Sequence, residues 1–353
     1  MTPKTIPVRA EIRALRAYRL EDEESRPVRA KLDFNEAPDD VPEEIRTEVL
    51  ARLKSRRWGR YPEFGAPRLK KAIAGSIGRS PDEIVVGNGS GEAILAAVSV
   101  FAGGGTLVLA PPTFSLYGQI AAIAGARVVS LRRTGADFAI DEPAFLARAA
   151  RGVPLVCSPN NPTGGVAGRA FVERLLDEAP VVLLDQAYVE FAAVDDDLTG
   201  LVASRPNLVV FRTLSKAYAA AGFRIGYAVA PPDLAREIEK AILPFNVDLA
   251  AEELALALLA RPEDARARVA RVVEERERVA RALRTAGHAV APSSANFLLL
   301  GPRGGDAARV RRALLERGVL VRDVTAAAAG RLRVTIGSPA ENDLFLGALQ
   351  EVS

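Results

Sequence analysis

Val181-Val182-Leu183-Leu184-Asp185-Gln186-Ala187-Tyr188 and, further on, Leu208-Val209-Val210-Phe211-Arg212-Thr213-Leu214-Ser215-Lys216 share one design. Each is a short, unbroken apolar run that ends in residues able to do chemistry. A run of this length without polar alternation predicts a strand covered on both faces, as in the interior of a parallel sheet. Working outward, the same kind of run recurs at Ile84-Val85-Val86, Thr106-Leu107-Val108-Leu109, Arg127-Val128-Val129, Pro154-Leu155-Val156 and Ile225-Gly226-Tyr227-Ala228-Val229. Helical stretches such as 91–101 lie between several of them. This alternation predicts an α/β domain with a mostly parallel, doubly wound sheet.

On either side the pattern changes. Residues 41–57 and 67–79 read as helices, and the polar stretch before them reads as an arm. Residues 264–285 read as a long amphipathic helix with Val269, Val272, Val273, Val279 and Leu283 on one stripe. Two strand-like runs, a helix over 306–317, strands over 319–322 and 332–336 and a final helix follow, which is a smaller α+β unit. The expected division is an arm and part of the small domain over 1–39, a large domain over 40–235 and a small domain over 236–353.

Composition narrows the function classes. The chain has 353 residues, enough at roughly 150 per domain for about two domains. Hydrophobic residues make up 49% and charged residues 26%, which excludes a disordered or collagen-like chain. A net charge of +3 over this length is too small for nucleic-acid binding through a whole-protein field. One cysteine and one histidine leave no intrachain disulfide and no Cys/His zinc site. No apolar run is long enough for a membrane span, and residues 1–10, with Lys4 and Arg9, carry no apolar segment of the kind that forms the core of a signal peptide. The cytoplasm is the expected location, with no nucleic-acid or membrane partner.

Five features carry chemistry. Lys216 follows a buried-type strand amid small residues and hydroxyls, where a desolvated amine has a lowered pKa and can form a Schiff base. Taken alone, a surface loop lysine is the plainer reading. Ser158-Pro159-Asn160-Asn161-Pro162-Thr163-Gly164 is a tight turn at the carboxyl end of a strand, where open α/β sheets bind ligands. It reads equally as an ordinary turn. Asp185 ends an apolar strand and is costly there unless paired. It fits a cationic ring nitrogen or a simple cap. Gly87-Asn88-Gly89-Ser90-Gly91 joins a strand to a helix and offers backbone N–H groups to a phosphate. It is neither a P-loop nor a dinucleotide fingerprint, because Glu92 stands where the third glycine would fall. Arg224, and Arg333 within Leu332-Arg333-Val334-Thr335, suit bidentate anion recognition or structural ion pairs.

In this order the features resemble the fold-type I aminotransferases that use pyridoxal phosphate, and within them the histidinol-phosphate aminotransferase family. The resemblance runs from about Glu11 to the C-terminus. It includes Leu32-Asp33-Phe34-Asn35-Glu36, Arg60-Tyr61-Pro62, Pro112-Thr113-Phe114-Ser115-Leu116-Tyr117, Gly222-Phe223-Arg224, Leu243-Pro244-Phe245-Asn246-Val247, and the stretches 158–164, 185–188, 212–216, 318–323 and 332–337. Phe114 stands where the family often has tyrosine, and Gly91 where it commonly has an acid.

The resemblance implies the following roles. Lys216 bonds pyridoxal 5'-phosphate through its amine and acts as general base. Asp185 pairs with the ring nitrogen. Asn161 and Tyr188 bond the ring hydroxyl, and Phe114 stacks on the ring. Gly89, Ser90, Gly91, Thr213, Ser215 and Arg224 form the cofactor's phosphate site, joined by Tyr61 from the partner of a homodimer. Arg333 receives the substrate carboxylate, and Tyr18 and Arg322 the substrate phosphate. The implied reaction moves the amino group of L-histidinol phosphate to 2-oxoglutarate in histidine biosynthesis. An aromatic amino-acid aminotransferase and a threonine-phosphate decarboxylase of the same fold are the alternatives. A transcription regulator built on this fold would need a DNA-binding head, for which the stretch before Leu32 is too short.

Overall fold

The computed structural model describes residues 6–15, 17 and 27–352; Tyr18 lies outside them. The strands are β1 (Ala30–Leu32), β2 (Ile84–Asn88), β3 (Thr106–Leu109), β4 (Arg127–Ser130), β5 (Val153–Cys157), β6 (Val182–Asp185), β7 (Leu208–Thr213), β8 (Ile225–Val229), β9 (Ala289–Val290), β10 (Phe297–Gly301), β11 (Val319–Asp323) and β12 (Leu332–Thr335). All seven apolar runs became strands of one sheet, ordered β2-β8-β7-β6-β5-β3-β4. The pairs from β7 through β4 are parallel, and β8 runs against both β2 and β7.

The period of two decides the packing. Strands β5 to β8 are buried at every position. Neighbouring residues go to opposite cores: Val86, Leu184 and Val210 to one face, Val85, Leu183 and Val209 to the other. Helices cover both faces, which is why these strands carry no polar alternation.

The second sheet is ordered β1-β11-β12-β10-β9, with β1 and β11 parallel and the other pairs antiparallel. Its buried face packs on the helix Pro262–Thr285 through Val272, Val279 and Leu283. That helix begins two residues before the predicted start, at a proline suited to a first turn. The expected boundary at 235/236 needs a correction. Val247, Ala251, Leu254 and Leu258 pack in the core of the large sheet, beside Ile45, Val49 and Leu69. Their helix, Leu249–Leu259, is capped by Asp248, whose carboxylate accepts from the Ala251 N–H at 2.8 Å. Its apolar composition shows that it is buried, but not which sheet buries it.

Candidate active site

Chain order along the large sheet reverses between β3 and β5: the chain proceeds outward to β4, then returns and builds β5 to β8 on the other side. Ligands of open α/β sheets bind at the carboxyl edge beside such a switch. The register shows what is gathered there. Cys157 pairs with Asp185, Asp185 with Phe211, Thr213 with Gly226, and Asn88 with Ile225. The ends of β2, β5, β6 and β7 and the start of β8 therefore share one edge. Gly89, Ser90, Asn161, Asp185, Thr213, Ser215, Lys216 and Arg224 follow from these strand ends.

Asp185 is buried. One carboxylate oxygen accepts from the Tyr117 hydroxyl at 2.6 Å, the other from the Ala187 N–H at 3.0 Å. Burial pushes its pKa up, and the two donors pull it back. Both donors are neutral, and the carboxyl's pKa stays raised despite them.

The Lys216 side chain is partly open to the site, while its amine sits in a dense shell of protein and donates to the Phe34 carbonyl at 3.0 Å. Burial brings its pKa down from 10.5 to about 7; the Arg333 and Arg224 charges add to this and Glu36 opposes it. The amine lies 5.9 Å from the Tyr188 ring centroid.

Asn161 links Tyr188 to Arg333. Its amide donates to the Tyr188 hydroxyl at 3.3 Å and its carbonyl accepts from Arg333 Nη1 at 2.8 Å. Asn35 also donates to the Tyr188 hydroxyl, at 3.0 Å, and the Asp33 carbonyl accepts from Arg333 Nη2. Arg322 stands opposite Arg333 in the β11–β12 register, and its guanidinium lies 5.7 Å from the Phe34 ring centroid.

The glycine turn and Arg224 form a second pole. Gly89, at φ +77°, precedes the helix Ser90–Phe101. A Cβ on Gly89 would stand 2.5 Å from Arg224 Nη2, so only glycine lets the guanidinium lie against the turn. The Thr213 hydroxyl lies 2.9 Å from that of Ser215 and 3.0 Å from the Ile225 carbonyl. Helix-start N–H groups, two hydroxyls and a guanidinium are the donor set of a phosphate site. Gly91 lies one residue further into the helix, where a Cβ would touch Leu116 at 3.5 Å, an ordinary contact. Phe114 is half-buried and meets the Tyr117 ring edge-on, with centroids 5.5 Å apart. Tyr61 is not buried with this cluster. It is 81% exposed and stacks on Phe245, with centroids 4.6 Å apart.

The residues given no role from sequence are the partners: Tyr117, Asn35 and the Asp33 carbonyl. Tyr117 and Asn35 stand inside recognisable motifs, but nothing in a linear motif says that one bonds Asp185 and the other Tyr188.

A buried carboxylate, a lysine amine of lowered pKa and a phosphate-type cradle at one sheet edge define a site for a phosphorylated ring cofactor with a cationic nitrogen. The chain belongs to the class I and II aminotransferases, whose family model matches residues 29–349. Among its relatives are the histidinol-phosphate aminotransferase of Thermococcus kodakarensis, 38% identical with 98% of each chain covered, and that of Gloeobacter violaceus, 38% identical with 90% of each covered. The fold is similar to that of histidinol-phosphate aminotransferase from Sinorhizobium meliloti in complex with pyridoxal-5'-phosphate. The TM-score is 0.88, at 25% identity, over 100% of this chain and 99% of the other.

Proposed function

We propose that this protein transfers the amino group of L-histidinol phosphate to 2-oxoglutarate, giving imidazole acetol phosphate and L-glutamate, with pyridoxal 5'-phosphate as cofactor. The observation that carries the reading is the placement of a lysine amine of lowered pKa beside Arg333, with Arg322 in register next to it. One arginine suits the carboxylate of the oxo acid, and two suit a phosphate monoester.

The cofactor, when bound, supplies a ring that accepts the electron pair left on the substrate carbon. Asp185 fits the cationic nitrogen of that ring, since a positive partner offsets the desolvation its carboxylate suffers. Gly89, Ser90, Thr213, Ser215 and Arg224 fit the phosphate. Asn161 and Tyr188 fit the ring hydroxyl, with Asn35 holding the Tyr188 hydroxyl in place. Phe114 presents an apolar ring beside Tyr117. Lys216, with a pKa of about 7, has a substantial neutral fraction near neutral pH and takes the substrate's Cα proton as general base. Arg333, held by Asn161 and the Asp33 carbonyl, orients the anionic end of each substrate in turn. Tyr18 belongs to the substrate site on the resemblance alone, and Gly91 to the cofactor site likewise.

The reading includes a homodimer in which Tyr61 completes the partner's phosphate site, a cytoplasmic location, and a division into arm, large unit and small unit, with residues 247–258 moved to the large one. Among the described residues no helix is long and apolar enough to cross a membrane.

The test is the visible absorption spectrum of the purified protein, recorded before and after adding histidinol phosphate without an oxo acid. The expected result is a lysine-bound chromophore that gives way to the shorter-wavelength band of the aminated cofactor. It returns when 2-oxoglutarate is added. A band that ignores histidinol phosphate but responds to phenylalanine would remove the substrate and keep the chemistry. Absence of a band after adding pyridoxal phosphate would overturn the roles of Lys216 and Asp185.

A further inference from the structure

Arg268 lies on the helix Pro262–Thr285 and is only 3% exposed. Its guanidinium reaches two separate segments, residues 39–40 and the loop that follows Lys216. Nη1 donates to the Ala217 carbonyl at 2.9 Å, Nε to the Asp39 carboxylate at 3.2 Å, and Nη2 to the Asp40 carbonyl at 3.4 Å. Arg271, one turn along the helix, holds the same Asp39 carboxylate from the exposed side at 2.9 Å. Ala217 is the residue after Lys216 and is itself fully buried.

A buried arginine is costly unless its donors are met, and an apolar side chain of similar volume would often serve packing as well. What an apolar residue cannot do is fix a carbonyl in place. The planar fork of arginine presents several donors at set angles, so one side chain ties its own helix to two other segments in one geometry. One of those segments carries the lysine. The loop around it is otherwise tied mainly to itself and to β8: the Ala220 N–H bonds the Leu214 carbonyl, and the Leu214 N–H bonds the Ile225 carbonyl. Arg268 adds a tie to the helix that packs under the second sheet, the sheet that carries Arg322 and Arg333.

We propose that Arg268 is a positioning residue for Lys216, clamping the backbone on the carboxyl side of the lysine and anchored in turn by Asp39. The inference rests on the reading of Lys216 as the reactive amine. The clamp keeps the amine in its dry, crowded position. Without it the loop loosens, water reaches the amine, and the pKa returns toward its ordinary value because desolvation is the main cause of the shift.

The test uses the full chain with Arg268→Met and Arg268→Lys. In the cofactor-free protein, the rate at which trinitrobenzenesulfonate labels Lys216 is followed against pH by peptide mass spectrometry. In the loaded protein, kcat and KM are measured with histidinol phosphate. The expected wild-type labelling midpoint is about 7. In Arg268→Met it moves up by about one unit or more, and kcat falls roughly 10- to 100-fold with little change in KM, the size of loss that a small displacement of a reacting group produces. Arg268→Lys, which can keep the bond to Ala217, recovers part of both. A lowered melting temperature with the wild-type midpoint and kcat would reduce Arg268 to a structural residue and overturn the proposal. If Arg268→Met does not fold, Asp39→Ala keeps the arginine but removes its anchoring acceptor. It is expected to raise the midpoint in the same direction, and an unchanged midpoint there overturns the proposal too. Failure of the functional reading is separable. A wild-type protein that ignores histidinol phosphate, but whose Lys216 midpoint still depends on Arg268, loses the substrate and keeps the clamp.

Discussion

Lys216 and Asp185 respond to the same burial in opposite senses. Low polarizability disfavours the charged form of each, so the amine's pKa falls to about 7 and the carboxyl's rises. In the cofactor-free protein this has a thermodynamic signature. Between about 7 and 10.5 the unfolded chain holds a proton on Lys216 that the folded chain lacks. Stability therefore rises with pH across that window, and below it the folded state bears the full cost of an enclosed ammonium. Lys216→Met should flatten that part of the curve of melting temperature against pH, and an unchanged slope would show that the amine is not desolvated. In the same cofactor-free protein, Arg333→Gln, which removes the second cause of the lowered value, should move the amine's labelling midpoint upward. Tyr117 supplies the shorter of the two bonds to Asp185, at 2.6 Å. Tyr117→Phe should destabilise the cofactor-free protein by about 1–3 kcal/mol, the cost of a buried acceptor left without a donor, measured by urea unfolding. Lys216 and Asp185 stand out in the sequence because their types are rare in such places: a lysine and an aspartate at the ends of apolar strands. Tyr117 and Asn35 do not, since a tyrosine in a helix and an asparagine in a loop are ordinary until folding sets them against Asp185 and Tyr188.

At the scale of elements, the site is made by strand direction. β8 runs backwards, so Arg224 precedes it and arrives at the same edge as the residues that follow β2, β6 and β7. Apolar runs show that strands exist and are covered on both faces, and all seven were legible. They carry no information on direction, which comes from the short connection between β7 and β8. For the same reason the expected boundary at 235/236 leaves residues 247–258 with the small domain, whereas they pack in the core of the large sheet: an apolar stretch does not name its partner. The close approach of β8 to the glycine turn gives a prediction. A Cβ on Gly226 would collide with the backbone of Gly89 and Ser90, including the Gly89 carbonyl carbon at 2.6 Å. Backbone atoms cannot step aside as a side chain can, so Gly226→Ala displaces the turn at a cost of about 1–3 kcal/mol. The sheet should remain, because Gly226 keeps its place in register between Thr213 and Gly87. The expected result is unchanged far-ultraviolet circular dichroism with loss of bound pyridoxal phosphate on gel filtration. Retention of the cofactor would show that the turn is not its phosphate site.

Among the described residues, the whole molecule exposes large apolar side chains on the segments 58–64 and 243–245. Trp58, Phe64 and Leu243 are exposed by 76%, 73% and 73%, and Tyr61 and Phe64 both pack against Phe245. Concentrated apolar exposure of this kind marks an interaction surface. Sequence reasoning reached Tyr61 only through resemblance, because exposure is a property of the folded chain. The surface adjoins the phosphate cradle: Asn246, next to Phe245, accepts from the Asn88 amide and donates to the Val86 carbonyl. A second copy seated here would bring its own Tyr61 toward the glycine turn, and a two-fold arrangement makes the exchange mutual. Mixed dimers separate this from a tyrosine acting within its own chain. Lys216→Ala and Tyr61→Ala proteins are each impaired, and are unfolded together and refolded so that protomers mix. If Tyr61 acts across the interface, the mixed dimer has one site that draws its lysine from one chain and its tyrosine from the other, both intact. Half of the dimers are mixed and each has one intact site of two, so activity should recover to about a quarter of wild type for random pairing of a two-fold dimer. If Tyr61 acts within its own chain, every site in the mixture lacks one group or the other, and activity stays at the average of the two parents.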